Sequence, residues 1–220
     1  MSNYLRLKKM LYVVSLAAVS IVLALIEIPW PFAEYLKLDF SEVAILVALL
    51  VLGTKETLMV VLIRTIARRL FRGFGPGDLV GEMLAVFASL SIILAYNVAQ
   101  RVLKKKEKPL LYEVSVNNNK VDVKEMVVTT LFVTVFLSFI LLVINFFIAT
   151  PLFLTLPPYG ISISGNVHFT VFTFIPDSPF SYWSFFMTTF TLYTPFNAVK
   201  GILVTIIFLL IKPRMKYLEL

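Results

Sequence analysis

The chain has 220 residues, 59% of them hydrophobic, with 20 Phe and only 15% charged. A soluble domain of this length needs a charged exterior, whereas here the charges stand in short clusters that leave long apolar stretches bare, as in a surface that meets lipid. The absence of cysteine excludes disulfides, thiolate metal sites and a cysteine nucleophile, and a single histidine, His168, argues against a histidine-rich metal centre. The net charge of +7 sits beside apolar segments (Arg6, Lys8 and Lys9; the lysines at 104–106 and 108; Lys212, Arg214 and Lys216), where topology determinants lie, and not where a nucleic-acid surface would gather it.

Six membrane segments are expected, at about 10–28, 41–52, 56–71, 78–103, 123–150 and 195–211, within one membrane domain covering 1–220. The first is too long for the apolar core of a signal peptide, and the Pro29-Trp30-Pro31 that stops it lacks a small-residue cleavage pattern. An aromatic loop, Trp30 to Phe40, follows. Asp39 and Glu42 then have the spacing of a capping box before a second helix that Gly53 ends. Twelve residues reach only about 18 Å, short of the roughly 30 Å hydrocarbon layer, so this helix is either buried by its neighbours or begins below the membrane surface.

Gly73, Gly75, Pro76 and Gly77 separate the third segment from a fourth that Asp78 is placed to cap. A soluble stretch, Lys104 to Lys124, carries the polar turn Asn117-Asn118-Asn119, and Asp122 with Glu125 repeats the capping pattern before the fifth helix. Pro151 to Pro179 reads as a long outer loop (151–180), with a hairpin signal at Gly165-Asn166. Thr194 is placed as the N-cap of the last helix and Pro195 at its first position, where a missing amide hydrogen costs nothing. Counting Lys and Arg puts both termini in the cytoplasm, with Arg68, Arg69 and Arg72 as outer exceptions.

Polar side chains inside spans are expensive and therefore informative. Asn197 and Lys200, three residues apart, share one face of the last helix, whose first turn would offer free amides, an amide side chain and an ammonium to a cavity. The alternatives are a snorkelling Lys200 and a capping Asn197. Asn145 in the fifth helix fits either a ligand contact or a bond to a neighbouring helix, Arg64 is a candidate partner of Glu82, and Glu27 suits the interface. No catalytic set converges: the Gly73–Gly77 stretch lacks the Lys and Ser/Thr of a phosphate loop, and the carboxylates are scattered. Binding and transport remain.

The segments Pro29-Trp30-Pro31-Phe32, Tyr35-Leu36-Lys37-Leu38-Asp39-Phe40-Ser41-Glu42 and Pro195-Phe196-Asn197-Ala198-Val199-Lys200-Gly201 resemble the riboflavin-specific S components of energy-coupling factor (ECF) transporters. The resemblance implies an all-α integral membrane protein with six transmembrane helices in the S-component fold. It implies one vitamin bound near the outer face, and partnership with a transmembrane T component and two ABC ATPases that supply the energy. Riboflavin is then cargo, with no cofactor, and the chain is not itself an enzyme. The candidate ligand set is Asn197, Lys200, Asn145, Arg64, Asp39 and Leu38, and the small residues Ala17, Ser20 and Ala24 of the first helix are candidates for docking to the T component. In the third helix Val61, Arg64 and Thr65 stand where the family often has a Glu and a Lys-Asn pair. The other readings are FMN or another vitamin (folate, pantothenate, thiamin) as cargo, or a self-sufficient carrier coupled to protons through Glu27, Asp39 or Glu42. Arg68, Arg69 and Arg72 suggest either a phosphate on the ligand or a lipid-headgroup contact.

Overall fold

The computed structural model describes residues 3–105, 109–112, 122–155 and 182–217. The turn at Asn117-Asn118-Asn119 and the hairpin signal at Gly165-Asn166 lie outside these. The described chain is helical apart from one small hairpin: α1 (Asn3–Leu25), β1 (Ile28–Trp30), β2 (Ala33–Leu38), α2 (Ser41–Leu52), α3 (Thr54–Arg72), α4 (Pro76–Val102), α5 (Val123–Ile144), α6 (Thr150–Thr155) and α7 (Tyr182–Ile211). A π-helical turn, Asn145–Ala149, joins α5 to α6. Among the described residues, four helical stretches are long and apolar enough to cross a membrane: 3–25, 76–102, 123–153 and 183–215.

All twelve residues of α2 are buried. After Ser41 and Glu42 its sequence is apolar all round, so it has no face for water or lipid to select and sits at the centre, with α1, α3, α4 and α7 packed around it. Burial by neighbours thus explains how so short a helix is stable at membrane depth. Gly53, at φ 89°, lets the chain turn directly from α2 into α3. The longest interhelical seam joins α5 to α7. There a Cβ on Gly201 would lie 2.9 Å from Thr134 Cα, so glycine sets how closely the two backbones approach.

Among the described residues, the buried charged groups lie in clusters. Arg64 is completely buried, and its Nη1 lies 3.1 Å from Glu42 Oε1 while its Nη2 donates to Ser89 Oγ at 2.9 Å. Ser89 Oγ is also 3.0 Å from Glu42 Oε1, so α2, α3 and α4 share one polar knot. A second cluster ties α5 and α7 to the chain that leaves α4: Glu125 pairs with Lys105 and Lys212, and Lys212 reaches Tyr96 Oη at 3.3 Å. Lys9 pairs with Glu56 where α1 and α3 begin.

Several expectations are corrected. The last helix is not truncated: Pro195 lies inside a 30-residue helix that begins at Tyr182. The aromatic run before Pro195 is compatible with a helix, and Trp183, Phe186 and Phe190 stack along one side of it. Pro195 therefore interrupts the hydrogen-bond ladder within α7 and does not start it. The first helix ends at Leu25 and not at Ile28, and residues 28–38 form an antiparallel hairpin that pairs Ile28 with Leu38 and Pro29 with Lys37. Helical chain continues past Pro151 to Thr155, where a loop is expected, and the rest of the expected loop, 156–180, lies outside the described residues. Gly75, not Asp78, is the N-cap of α4, and Asp122 makes no side-chain cap bond to α5. Ala17, Ser20 and Ala24 are 1%, 0% and 0% exposed, and Ser20 Oγ donates to the Ser41 carbonyl. That small-residue stripe packs α1 on the bundle.

Candidate functional site

A cavity of about 300 Å³ opens at the end of the bundle where α3 finishes and α4 starts. This volume suits a small organic molecule. The hairpin, α3, α4, the α5–π–α6 rod and α7 all contribute to its wall, so five parts of the chain meet at one place.

Its deeper polar groups come from α7, the π turn and the connection that follows β2. Lys200 is 7% exposed, and its Nζ lies 3.1 Å from Asp39 Oδ2. Asp39 Oδ1 accepts the Ser41 amide at 3.0 Å and also the Ser41 hydroxyl. Burial alone would raise the Asp39 carboxyl, but the Lys200 ammonium and the Ser41 donors outweigh it and hold the group well below the ordinary carboxylate range. Asp39 thus keeps Lys200 in place across the cavity floor.

Asn197, one turn before Lys200, is 2% exposed, and its Nδ2 has no hydrogen-bond partner among the described residues. A buried amide donor left unmatched is costly, so this atom has the capacity to take an acceptor that enters the cavity. Asn145 stands at the first position of the π turn and donates Nδ2 to the Leu141 carbonyl at 2.8 Å. That bond fixes its amide and leaves an oxygen and one N–H for other partners. The π turn adds a residue to the helical repeat: the Thr150 amide bonds the Asn145 carbonyl, five positions back. Such turns recur at functional sites because they re-aim side chains.

Aromatic and apolar groups form the rest of the deep wall. Tyr35 stacks on Phe153 with ring centroids 6.2 Å apart, and Trp30 packs edge-on against Phe196 at 5.7 Å. Tyr35, Phe153, Tyr193, Phe196 and Leu141 all line the cavity. Flat hydrophobic walls with a few convergent amide and ammonium groups suit a planar ring system carrying carbonyl and ring-nitrogen acceptors.

The outer wall is charged. Arg68 and Arg69 approach the same carboxylate oxygen, Glu82 Oε2, at 3.6 and 3.3 Å. Arg72 pairs with Glu27, which also accepts Lys37 Nζ at 2.7 Å. These two pairings tie the hairpin to the end of α3.

Of the sequence candidates, Asp39, Asn145, Asn197 and Lys200 meet at this cavity. Arg64 and Leu38 are not among its lining residues: Arg64 is held by Glu42 and not by Glu82, and Leu38 is buried in β2 beside lining residues Lys37 and Asp39. Sequence reasoning missed the part played by Glu82, although it is a rare carboxylate in the apolar body of α4. It also missed Phe153 and Tyr193, since nothing local separates a cavity aromatic from a lipid-facing one.

Residues 8–212 match the family described as the substrate-specific component of ECF transporters. Similar proteins include the riboflavin transporter RibU of Staphylococcus aureus, 26% identical over 215 residues that span 94% of this chain and 90% of that one. RibU of Streptococcus thermophilus is 25% identical over 210 residues (95% and 83%), and the riboflavin transporter FmnP of Bacillus subtilis is 24% identical over 214 residues (96% and 94%). A solved S component of a bacterial ECF transporter superposes with a TM-score of 0.62 at 24% identity, covering 98% of this chain and 99% of that one, which shows the shared fold.

Proposed function

Since the chain belongs to the family of substrate-specific components of ECF transporters, we propose that it captures riboflavin as the membrane-embedded binding subunit of such a transporter. The observation that carries this reading is the convergence of Asn145, Asn197 and the Asp39–Lys200 pair on one aromatic-walled cavity. The full-length similarity to proteins named riboflavin transporters supports it. The isoalloxazine ring has a flat apolar face and an edge of carbonyls and nitrogens. The face would lie against Phe196, Tyr193 and Phe153, and the edge would meet the amides and the ammonium.

Riboflavin is cargo in this reading, and the energy comes from a T component with two ABC ATPases. The cavity lies where α3 ends and α4 starts, whereas Lys105 and Lys212, which follow the far ends of α4 and α7, meet at Glu125 near the start of α5. Positive residues favour the cytoplasmic side, which would turn the cavity outward. Because the chain has no cysteine, a single Lys37→Cys variant in whole cells tests this. Labelling by a membrane-impermeant thiol reagent is expected, and protection until lysis would reverse the orientation.

The direct test of function is titration of riboflavin into purified protein, followed by quenching of flavin fluorescence. Saturable quenching at one flavin per chain is expected. If folded protein leaves flavin fluorescence unchanged, the riboflavin reading is wrong.

A further inference from the structure

The charged outer wall of the cavity has more positive than negative charge in each of its pairings. At the floor Lys200 is matched by Asp39, one against one. Elsewhere in the wall, Arg68 and Arg69 share Glu82, and Arg72 and Lys37 share Glu27, two cations to one carboxylate in each case. Asp78, the remaining carboxylate of the wall, is 54% exposed at the side chain and 3.9 Å from Arg69, so water weakens its contribution.

Arg68 is the informative member. Its side chain is only 11% exposed, and it lines the cavity. Its Nε and Nη1 have no hydrogen-bond partner among the described residues, since Glu82 at 3.6 Å is within ion-pair range but beyond a hydrogen bond. A guanidinium carries five N–H donors in a rigid fork suited to tetrahedral oxyanions. To hold one in a nearly dry wall with donors unmatched is unfavourable unless an anion completes it.

We propose that Arg68, with Arg69 beside it, recognises a phosphomonoester on the bound ligand, so that the cavity takes the phosphorylated vitamin in preference to the neutral one. This rests on the flavin reading above and adds a specificity subsite to it. The deep wall holds the ring, while the tail attached to the ring runs outward, where a terminal phosphate would meet the arginine pair. A lipid-headgroup phosphate has the same chemistry, and the test must separate the two sources.

The experiment compares FMN and riboflavin affinities by fluorescence quenching for the wild type, Arg68→Gln and Glu82→Gln, each checked for folding by size-exclusion chromatography. In neutral phosphatidylcholine nanodiscs at low salt, wild-type protein is expected to bind FMN about tenfold more tightly than riboflavin, one charge-assisted bond's worth of discrimination. Arg68→Gln should bring the ratio of affinities near one, and Glu82→Gln, which removes the competing carboxylate, should raise it. Added salt should lower the wild-type ratio, a readout available even if the variants do not fold.

Riboflavin binding with FMN no tighter overturns this proposal and leaves the flavin reading intact. A ratio unchanged in Arg68→Gln, or insensitive to salt, also overturns it, because the arginines then have only a structural role. If FMN is preferred in neutral lipid and phosphatidylglycerol leaves the preference in place, the phosphate belongs to the ligand. If phosphatidylglycerol abolishes it, a headgroup is the occupant and the ligand assignment fails. Indifference to both flavins removes this proposal together with the function it rests on.

Discussion

Replacing Asn197 by alanine separates a ligand-binding amide from a structural one, because the two roles predict opposite effects on the ligand-free protein. Asn197 is 2% exposed, and its Nδ2 has no partner among the described residues. A buried unmatched donor costs about 1–3 kcal/mol, and a ligand acceptor recovers part of that on binding. Asn197→Ala should therefore weaken riboflavin binding by about 1–2 kcal/mol, roughly fivefold to thirtyfold in Kd. The ligand-free protein should melt no lower than the wild type, or lose only the small packing of a shortened side chain. Flavin titration gives the first quantity, and thermal unfolding in detergent followed by intrinsic fluorescence gives the second. If the melting temperature falls sharply while the affinity of the remaining folded protein is unchanged, the amide holds α7 in place and the reasoning is refuted.

Three further outcomes follow from the same geometry. Gly201→Leu should destabilise the protein by at least about 1–3 kcal/mol, because even its Cβ would lie 2.9 Å from Thr134 Cα and α5 must move; an unchanged melting temperature would show that the seam is looser than described. Glu42→Leu alone leaves Arg64 buried without its carboxylate, at a cost of about 3–5 kcal/mol, whereas Glu42→Leu with Arg64→Met should recover most of it. Equal melting temperatures for the single and double variants would count against a coupled pair. Because the folded Asp39 carboxyl lies below its unfolded value of about 3.9, its contribution is complete above that pH and is lost only as pH falls through the lower folded value. Riboflavin affinity should accordingly be flat from about pH 8 down to about pH 5, and a carboxylate-like decline inside that window would show that Asp39 is not held ionised by Lys200.

The membrane character and the helical segments were legible in the chain because they are local properties. Ten successive apolar residues in α2 (43–52), the break at Gly53 and the polar Asn197-x-x-Lys200 pair all act within a few positions, and helical periodicity alone puts Asn197 and Lys200 on one face. What failed was the interpretation of single residues with two local meanings. Locally Pro195 favours a helix start, where its missing donor costs nothing, and only the tertiary packing of residues 182–194 into α7 offsets the cost of placing it in a helix interior. Ala17, Ser20 and Ala24 form a small-residue stripe for close helix contact, and tertiary structure buries that stripe against the bundle.

By itself, then, the sequence determined that the chain lives in lipid, where its helices run, and which few polar groups are too costly to be incidental. Tertiary structure decided the pairings: Arg64 with Glu42, Glu82 between Arg68 and Arg69, and Asp39 with Lys200 across 161 positions of chain. The reason is dielectric. In lipid a charge must find an opposite charge or a hydrogen-bonding partner, so its presence is visible locally, but the partner is whatever the fold brings within a few ångströms.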